Sequence, residues 1–184
     1  MKITMLVVLA VGALAGLAFL YHRHRRTASS EPVAHVRNEF EFTVHTPYRV
    51  MAPLFGADGE RAWAGPQWNP HFLYPQPASD TRGAVFTVQH GHHQAYWVNT
   101  AFDLDARHVQ YAYIIPDVMA TLIDIHFSEL DPANTKVNVA YERTALSPDG
   151  NEHVREAGNS DRDGGKKWGV AINGYLEKQR TASR

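Results

Sequence analysis

The chain contains no cysteine, which removes disulfides, thiolate nucleophiles and zinc–thiolate sites at one stroke. No GxSxG elbow occurs, so a serine-hydrolase triad has no anchor. Neither a P-loop nor a GxGxxG segment is present, and phosphate cradling is unsupported. There is no HExxH, and His126-Phe127-Ser128-Glu129 has the wrong spacing for a zincin. No motif demands a cofactor, and no internal repeat divides the chain. The formal net charge is −1, far from the concentrated basic face that nucleic-acid binding requires.

What charge there is falls unevenly. Residues 1–30 hold Lys2, Arg23, Arg25 and Arg26 and no acid, whereas the other 154 residues hold 14 basic and 19 acidic side chains. Within the basic end, residues 3–20 (ITMLVVLAVGALAGLAFL) are an uninterrupted apolar run. Its 18 residues approach the roughly 20 that span a bilayer core as a helix. Such a helix satisfies its own backbone in lipid, so Gly12 and Gly16 are tolerated. The Arg cluster follows the run, and an excess of Lys/Arg marks the cytoplasmic flank. The expected arrangement is a retained single-pass anchor in the inner (plasma) membrane, residues 1–26 with their basic flank, and the rest of the chain on the cytoplasmic side. A cleaved signal peptide and a periplasmic domain are the alternative, but Lys2 alone is a thin n-region and the small residues lie inside the run.

Residues 27–37 are small, polar and Pro-containing, which suits a linker; a single domain is expected over 38–180. Asn38–Thr46 alternates apolar and polar side chains, the period of a half-buried strand. Thr46-Pro47 then suits the start of a short helix, Tyr48–Phe55, ending at Gly56. The Pro-rich stretch 63–77 reads as loop and irregular edge strand. Strand-like runs follow at 83–90, 94–103, 108–115, 119–128 and 136–144, separated by short turns, as in an antiparallel meander. The period then changes: Trp168, Ile172, Tyr175 and Leu176 share one face of a helix, with a weakened stretch near Gly164-Gly165. Strands followed by a long terminal helix are an α+β arrangement.

This order, with the segments EFEFTVHTP, YRVMAPLF, AWAGPQWNP and GGKKWGVAINGYLEK, resembles the polyketide cyclase/START-like (Bet v 1-like, SRPBCC) superfamily over residues 38–178. The resemblance implies a helix-grip fold, a curved antiparallel sheet gripping a long C-terminal helix. It also implies a function among hydrophobic-ligand carriers, cyclases and subunits of larger complexes. Fold does not fix function, and no catalytic residue can be transferred.

In such a fold the space between sheet and helix is a pocket. Strand alternation places Tyr96, Val98 and Phe102, then Tyr111 and Tyr113, then Ile123 and Tyr141 on shared faces, with Trp168, Ile172 and Tyr175 opposite on the helix. Trp63 and Trp68 either pack at one mouth or gate it. Together these residues would form an apolar site for a lipid-like or polycyclic molecule. The same faces would equally serve as a packed core; buried tyrosine hydroxyls, which need partners, favour a cavity. A cyclase- or hydrolase-like enzyme using the same pocket is the alternative, with histidine as the natural proton carrier; the alternation turns His45, His108 and His126 outward. His90, His92 and His93 could offer three imidazoles to a metal, but a solvated turn explains them without one. His108 and His126 are expected to form a surface pair with Gln110 and Asp124.

Overall fold

A computed structural model describes residues 31–183, so the apolar run, its basic flank and the first four residues of the linker lie outside the described residues. Among those described, no helix is long and apolar enough to cross a membrane.

Seven strands form one antiparallel sheet: β1 (His35–Val44), β2 (His71–Tyr74), β3 (Val85–His90), β4 (His93–Asp103), β5 (His108–Ile115), β6 (Met119–Asp131) and β7 (Asn134–Ala145). Their spatial order is β1-β7-β6-β5-β4-β3-β2. From β3 to β7 each strand pairs with the next in sequence, the meander that the short turns dictate. β1 closes the far edge by pairing with β7, from His35↔Thr144 to Val44↔Thr135. The first strand therefore takes up residues 35–37, assigned above to the linker. His35 and Arg37 interrupt the apolar alternation, but their backbone completes the ladder with β7.

Helix α1 (Tyr48–Met51) and two 3-10 turns, Ala52–Phe55 and Gly59–Ala62, connect β1 to β2. Two further helices follow β7: α2 (Asn151–Asp161) and α3 (Gly164–Ala182). The glycines between them permit close approach rather than loosen the helix. A Cβ added at Gly164 would lie 2.4 Å from the Phe40 ring, and one at Gly165 would lie 2.7 Å from the Glu41 carbonyl oxygen. Only glycine lets the start of α3 press this closely onto β1. Further along, Asn173 holds the same edge, donating to the Thr43 carbonyl at 3.0 Å and accepting from the His45 amide at 2.8 Å.

The core fills the concave side. Val109, Ile125, Val137 and Val139 from the sheet meet Phe55 from the 3-10 turn and Ile172 from α3, all essentially without exposure. The Tyr111 hydroxyl donates to the Phe55 carbonyl, tying the central strand to the connecting segment.

Candidate functional site

The core does not close throughout. A cavity of about 560 Å³ lies between the sheet, the 59–68 segment and the two C-terminal helices. The segment contributes Glu60, Trp63 and Trp68; β3 and β4 contribute His90 and Trp97; β5 contributes Tyr111 and Tyr113. Met119 and Ile123 come from β6, Tyr141 and Arg143 from β7, Asp161 from α2, and Lys167 and Trp168 from α3.

Two aromatic groups make most of the wall. Trp97 stacks on Tyr113 with ring centroids 4.1 Å apart and meets Trp68 edge-on at 5.3 Å. The His90 ring lies parallel to Tyr113 at 5.8 Å. On the helix side, Trp168 meets Trp63 at 5.4 Å and Phe40 at 5.7 Å, both edge-on. Edge-to-face and offset contacts are the favoured arrangements of aromatic quadrupoles. Trp63 and Trp68 are held as fixed panels, because their indole N–H groups donate to the carbonyls of Leu54 at 2.7 Å and Ala57 at 2.8 Å.

The segment that carries these tryptophans is braced from outside the cavity. Asp80 accepts backbone hydrogen bonds from Asp58 and Gly59. Arg61 reaches Asp58, Asn69 and the Pro70 carbonyl. A side chain at Gly56 would run into the Asp80 carboxylate, 2.0 Å from its ideal Cβ. Glycine is required there so that Asp80 can sit against the turn.

Part of the polar wall is buried. Arg143 donates from Nη2 to Asp161 Oδ1 at 2.7 Å, and both side chains are only 7% exposed. The guanidinium lies over the Tyr141 ring at 4.0 Å. Burial raises the Asp161 carboxyl above its ordinary pKa, a push that Arg143 opposes. Arg143 Nε and Nη1, His90 Nε2 and Trp97 Nε1 find no hydrogen-bond partner among the described residues. Buried polar groups are rarely left so. Burial also lowers the His90 pKa, which keeps the ring neutral.

Glu60 is the second buried acid of the wall. Desolvation, reinforced by the nearby Asp80 charge, raises its pKa well above 4.5. A carboxyl whose folded pKa is raised contributes stability below its unfolded pKa and loses it as pH rises through the folded value. Wild-type stability should thus decline with pH from about 4.5 upward through this group, at up to about 1.4 kcal/mol per pH unit. In Glu60→Gln that contribution is gone, leaving those of Asp80 and Asp161, which are raised as well. Urea unfolding across this range should show the variant gaining on wild type as pH increases; parallel curves would refute the assignment.

Of the residues expected at the site, Trp63, Trp68, Tyr111, Tyr113, Tyr141 and Trp168 line the cavity. Tyr96 and Val98 do not: they are 46% and 37% exposed on the opposite face of β4, and Trp97, 4% exposed, points in. Both faces of this strand are apolar, so alternation alone could not choose between them. A bulge between Asn99 and Ala101 then shifts the alternation, so Phe102 pairs with buried Val109 and packs against the core away from the cavity. Ile172 is fully buried in the core, and Tyr175 packs beside it without reaching the cavity. Arg143 was within reach of the pattern, two residues beyond Tyr141 on an inward-facing run. Glu60 and Asp161 carry no such signal. His90, His92 and His93 do not gather: His90 stacks on Tyr113, His92 sits in the β3–β4 turn, and His93 meets His153 edge-on at 5.9 Å.

No family model matches the chain, and no curated protein matches it in sequence. Solved structures do match in fold. Norcoclaurine synthase from Thalictrum flavum, in complex with dopamine and hydroxybenzaldehyde, aligns with a TM-score of 0.59 at 9% identity, over 80% of this chain and 89% of that one. The Zhui aromatase/cyclase from Streptomyces sp. R1128 aligns with a TM-score of 0.56 at 16% identity, over 82% and 97%. Ara h 8.0201 aligns with a TM-score of 0.56 at 14% identity, over 79% and 99%. The described domain thus has the Bet v 1-like, polyketide cyclase (SRPBCC) fold.

Proposed function

We propose that the domain binds an aromatic or polycyclic hydrophobic molecule in the cavity between sheet and terminal helices, and that residues 3–20 tether it to the membrane that supplies the molecule. The observation that carries this reading is the composition of the wall: four tryptophans and three tyrosines around about 560 Å³. Flat rings offer large contact area and favour a flat ligand over a flexible chain. The unpartnered donors of Arg143 and Trp97 support a ligand that also carries an acceptor oxygen, since apolar pockets orient ligands through a few placed polar groups. The Bet v 1-like fold supports hydrophobic ligand binding in general terms. For the tether, the support is the length of the apolar run and the Arg cluster that follows it. The same cluster supports a cytoplasmic side for the domain, since an excess of Lys/Arg marks the cytoplasmic flank.

A second reading has its own observation. The wall pairs a carboxyl whose pKa burial raises, Glu60, with an imidazole whose pKa burial lowers, His90. An acid and a base in one apolar pocket support proton transfer to and from a bound ring, as a cyclase-like enzyme would need.

One experiment separates these readings. The full chain should sediment with membranes, and removal of residues 1–30 should release it. Native mass spectrometry of the full chain after gentle detergent removal should show one bound mass. A mass recovered unchanged after incubation supports a carrier, and one converted to an isomer or dehydrated product supports an enzyme. A consistently empty protein that also fails to bind an anilinonaphthalene sulfonate probe would sink both.

A further inference from the structure

The opposite face of the sheet carries a second cluster that pocket binding leaves unused. His108 on β5 is the direct cross-strand partner of His126 on β6, and Gln110 is the partner of Asp124. Strand alternation turns all four away from buried Val109 and Ile125, onto the outer surface. The two imidazoles are stacked, 4.6 Å apart and 6° from parallel. Each directs Nε2 at the same carboxylate: His108 at Asp124 Oδ1, 2.6 Å away, and His126 at Oδ2, 3.2 Å away.

We propose that His108, Asp124 and His126 form a binding site for a divalent transition cation of the zinc type. Their three ligand atoms lie within 4.8 Å of one another. A cation at bond lengths of roughly 2.0–2.2 Å needs ligand atoms about 3.3 Å apart, so small ring rotations would seat it. Two imidazoles and one carboxylate suit zinc, copper or nickel and disfavour magnesium or calcium, which take all-oxygen shells.

A second observation points the same way. Gln110 donates to Asp124 Oδ1 at 3.1 Å, and Thr100 donates to the Gln110 side-chain oxygen at 2.8 Å. That chain crosses from β4 to β6 and fixes the carboxylate from behind, as outer partners orient the carboxylates of metal sites. His126 is 58% exposed at the side chain, which gives an ion a path in from solvent. The site has three protein ligands, leaving at least one position for water or an anion.

The test titrates full-length protein in detergent with Co²⁺, read by visible absorption, and with Zn²⁺ by competition. Cobalt should give the d–d bands of a nitrogen- and oxygen-ligated ion at one equivalent, displaced by zinc and not by Mg²⁺. His108→Asn, His126→Asn and Asp124→Asn should each weaken binding by at least about tenfold, and Gln110→Leu by a similar factor through loss of carboxylate orientation. His92→Asn and His93→Asn should leave it intact. Because all these side chains lie on the outer surface, circular dichroism melting of each variant without metal checks that folding is unchanged. Absence of saturable binding, or binding that survives both His108→Asn and His126→Asn, would overturn the site.

Discussion

Asp161→Asn should cost roughly 3–5 kcal/mol of folding stability, although the change removes only a charge and replaces one oxygen by a nitrogen. The reason lies with the partner. Arg143 is 7% exposed and its only ionic contact among the described residues is Asp161. Removing the carboxylate leaves a desolvated guanidinium with no counter-charge among the described residues, only the face of the Tyr141 ring. Asparagine can still accept one hydrogen bond, so the expected loss comes from the uncompensated charge. The pair as a whole adds far less, because its Coulomb attraction is set against the cost of burying both groups. The double variant Arg143→Met/Asp161→Leu should therefore lie within about 2 kcal/mol of wild type. Urea denaturation of wild type and both variants checks this. A near-neutral Asp161→Asn would show that Arg143 has water or another acceptor beside it. The double variant also tests function. If the pair exists to receive the acceptor oxygen of a ligand, binding of an anionic aromatic probe should fall sharply in a protein that is still stably folded.

Such a pair is what physical economy in a core would avoid, and the proposed acceptor-bearing ligand would give it a use. The concave face is otherwise aromatic, and an apolar ligand alone would gain nothing from Arg143. The guanidinium stacks on Tyr141, so one side chain presents both a ring-binding surface and polar hydrogens. Asn38 donates to Asp161 and to the Gly158 carbonyl at the same point, binding β1 to the end of α2. Loss of the pair should be felt in the helix that covers the cavity as well as in the sheet.

Much of this was legible from residue order. The strand runs from residue 83 to 144 agree with β3–β7 to within a few residues, because short turns and period-two alternation leave little freedom of pairing. The terminal helix was visible in the spacing of Trp168, Ile172 and Leu176, and all three face the core or cavity. Strand β4 was not legible, because Tyr96 and Val98 compete with Trp97 for the inside and the register is decided by neighbours. Tyr113 on β5 is the direct partner of Trp97, and their stacking fixes which face turns in. Glu60 sits in a 3-10 turn whose position depends on Asp80, twenty residues further along and packed against it. No local pattern announces a buried acid held by a distant brace. The break between α2 and α3 reads in sequence as weakness, yet its glycines are where the helix comes nearest to β1.

Trp168→Ala should be the most informative change in the cavity itself. The indole contacts Phe40, Phe42, Phe55, Trp63 and Tyr141 with ring centroids between 5.4 and 6.4 Å. It therefore joins β1, β7, the connecting segment and α3 at one point. Fully buried tryptophans lose roughly 3–5 kcal/mol on truncation to alanine; because Trp168 is only partly buried, a value of about 3 kcal/mol is expected. Since the side chain also lines the cavity, a second effect should accompany the first. The affinity of the folded protein for an aromatic probe should fall, because the wall opposite Trp63 is gone. Measuring probe binding well below the unfolding transition separates the two effects. Reduced stability with unchanged affinity would make Trp168 a packing residue and place the ligand toward Trp97 and Tyr113. Reduced affinity in both Trp168→Ala and Trp97→Ala would mean the ligand spans the cavity from sheet to helix, as a polycyclic molecule of that length would.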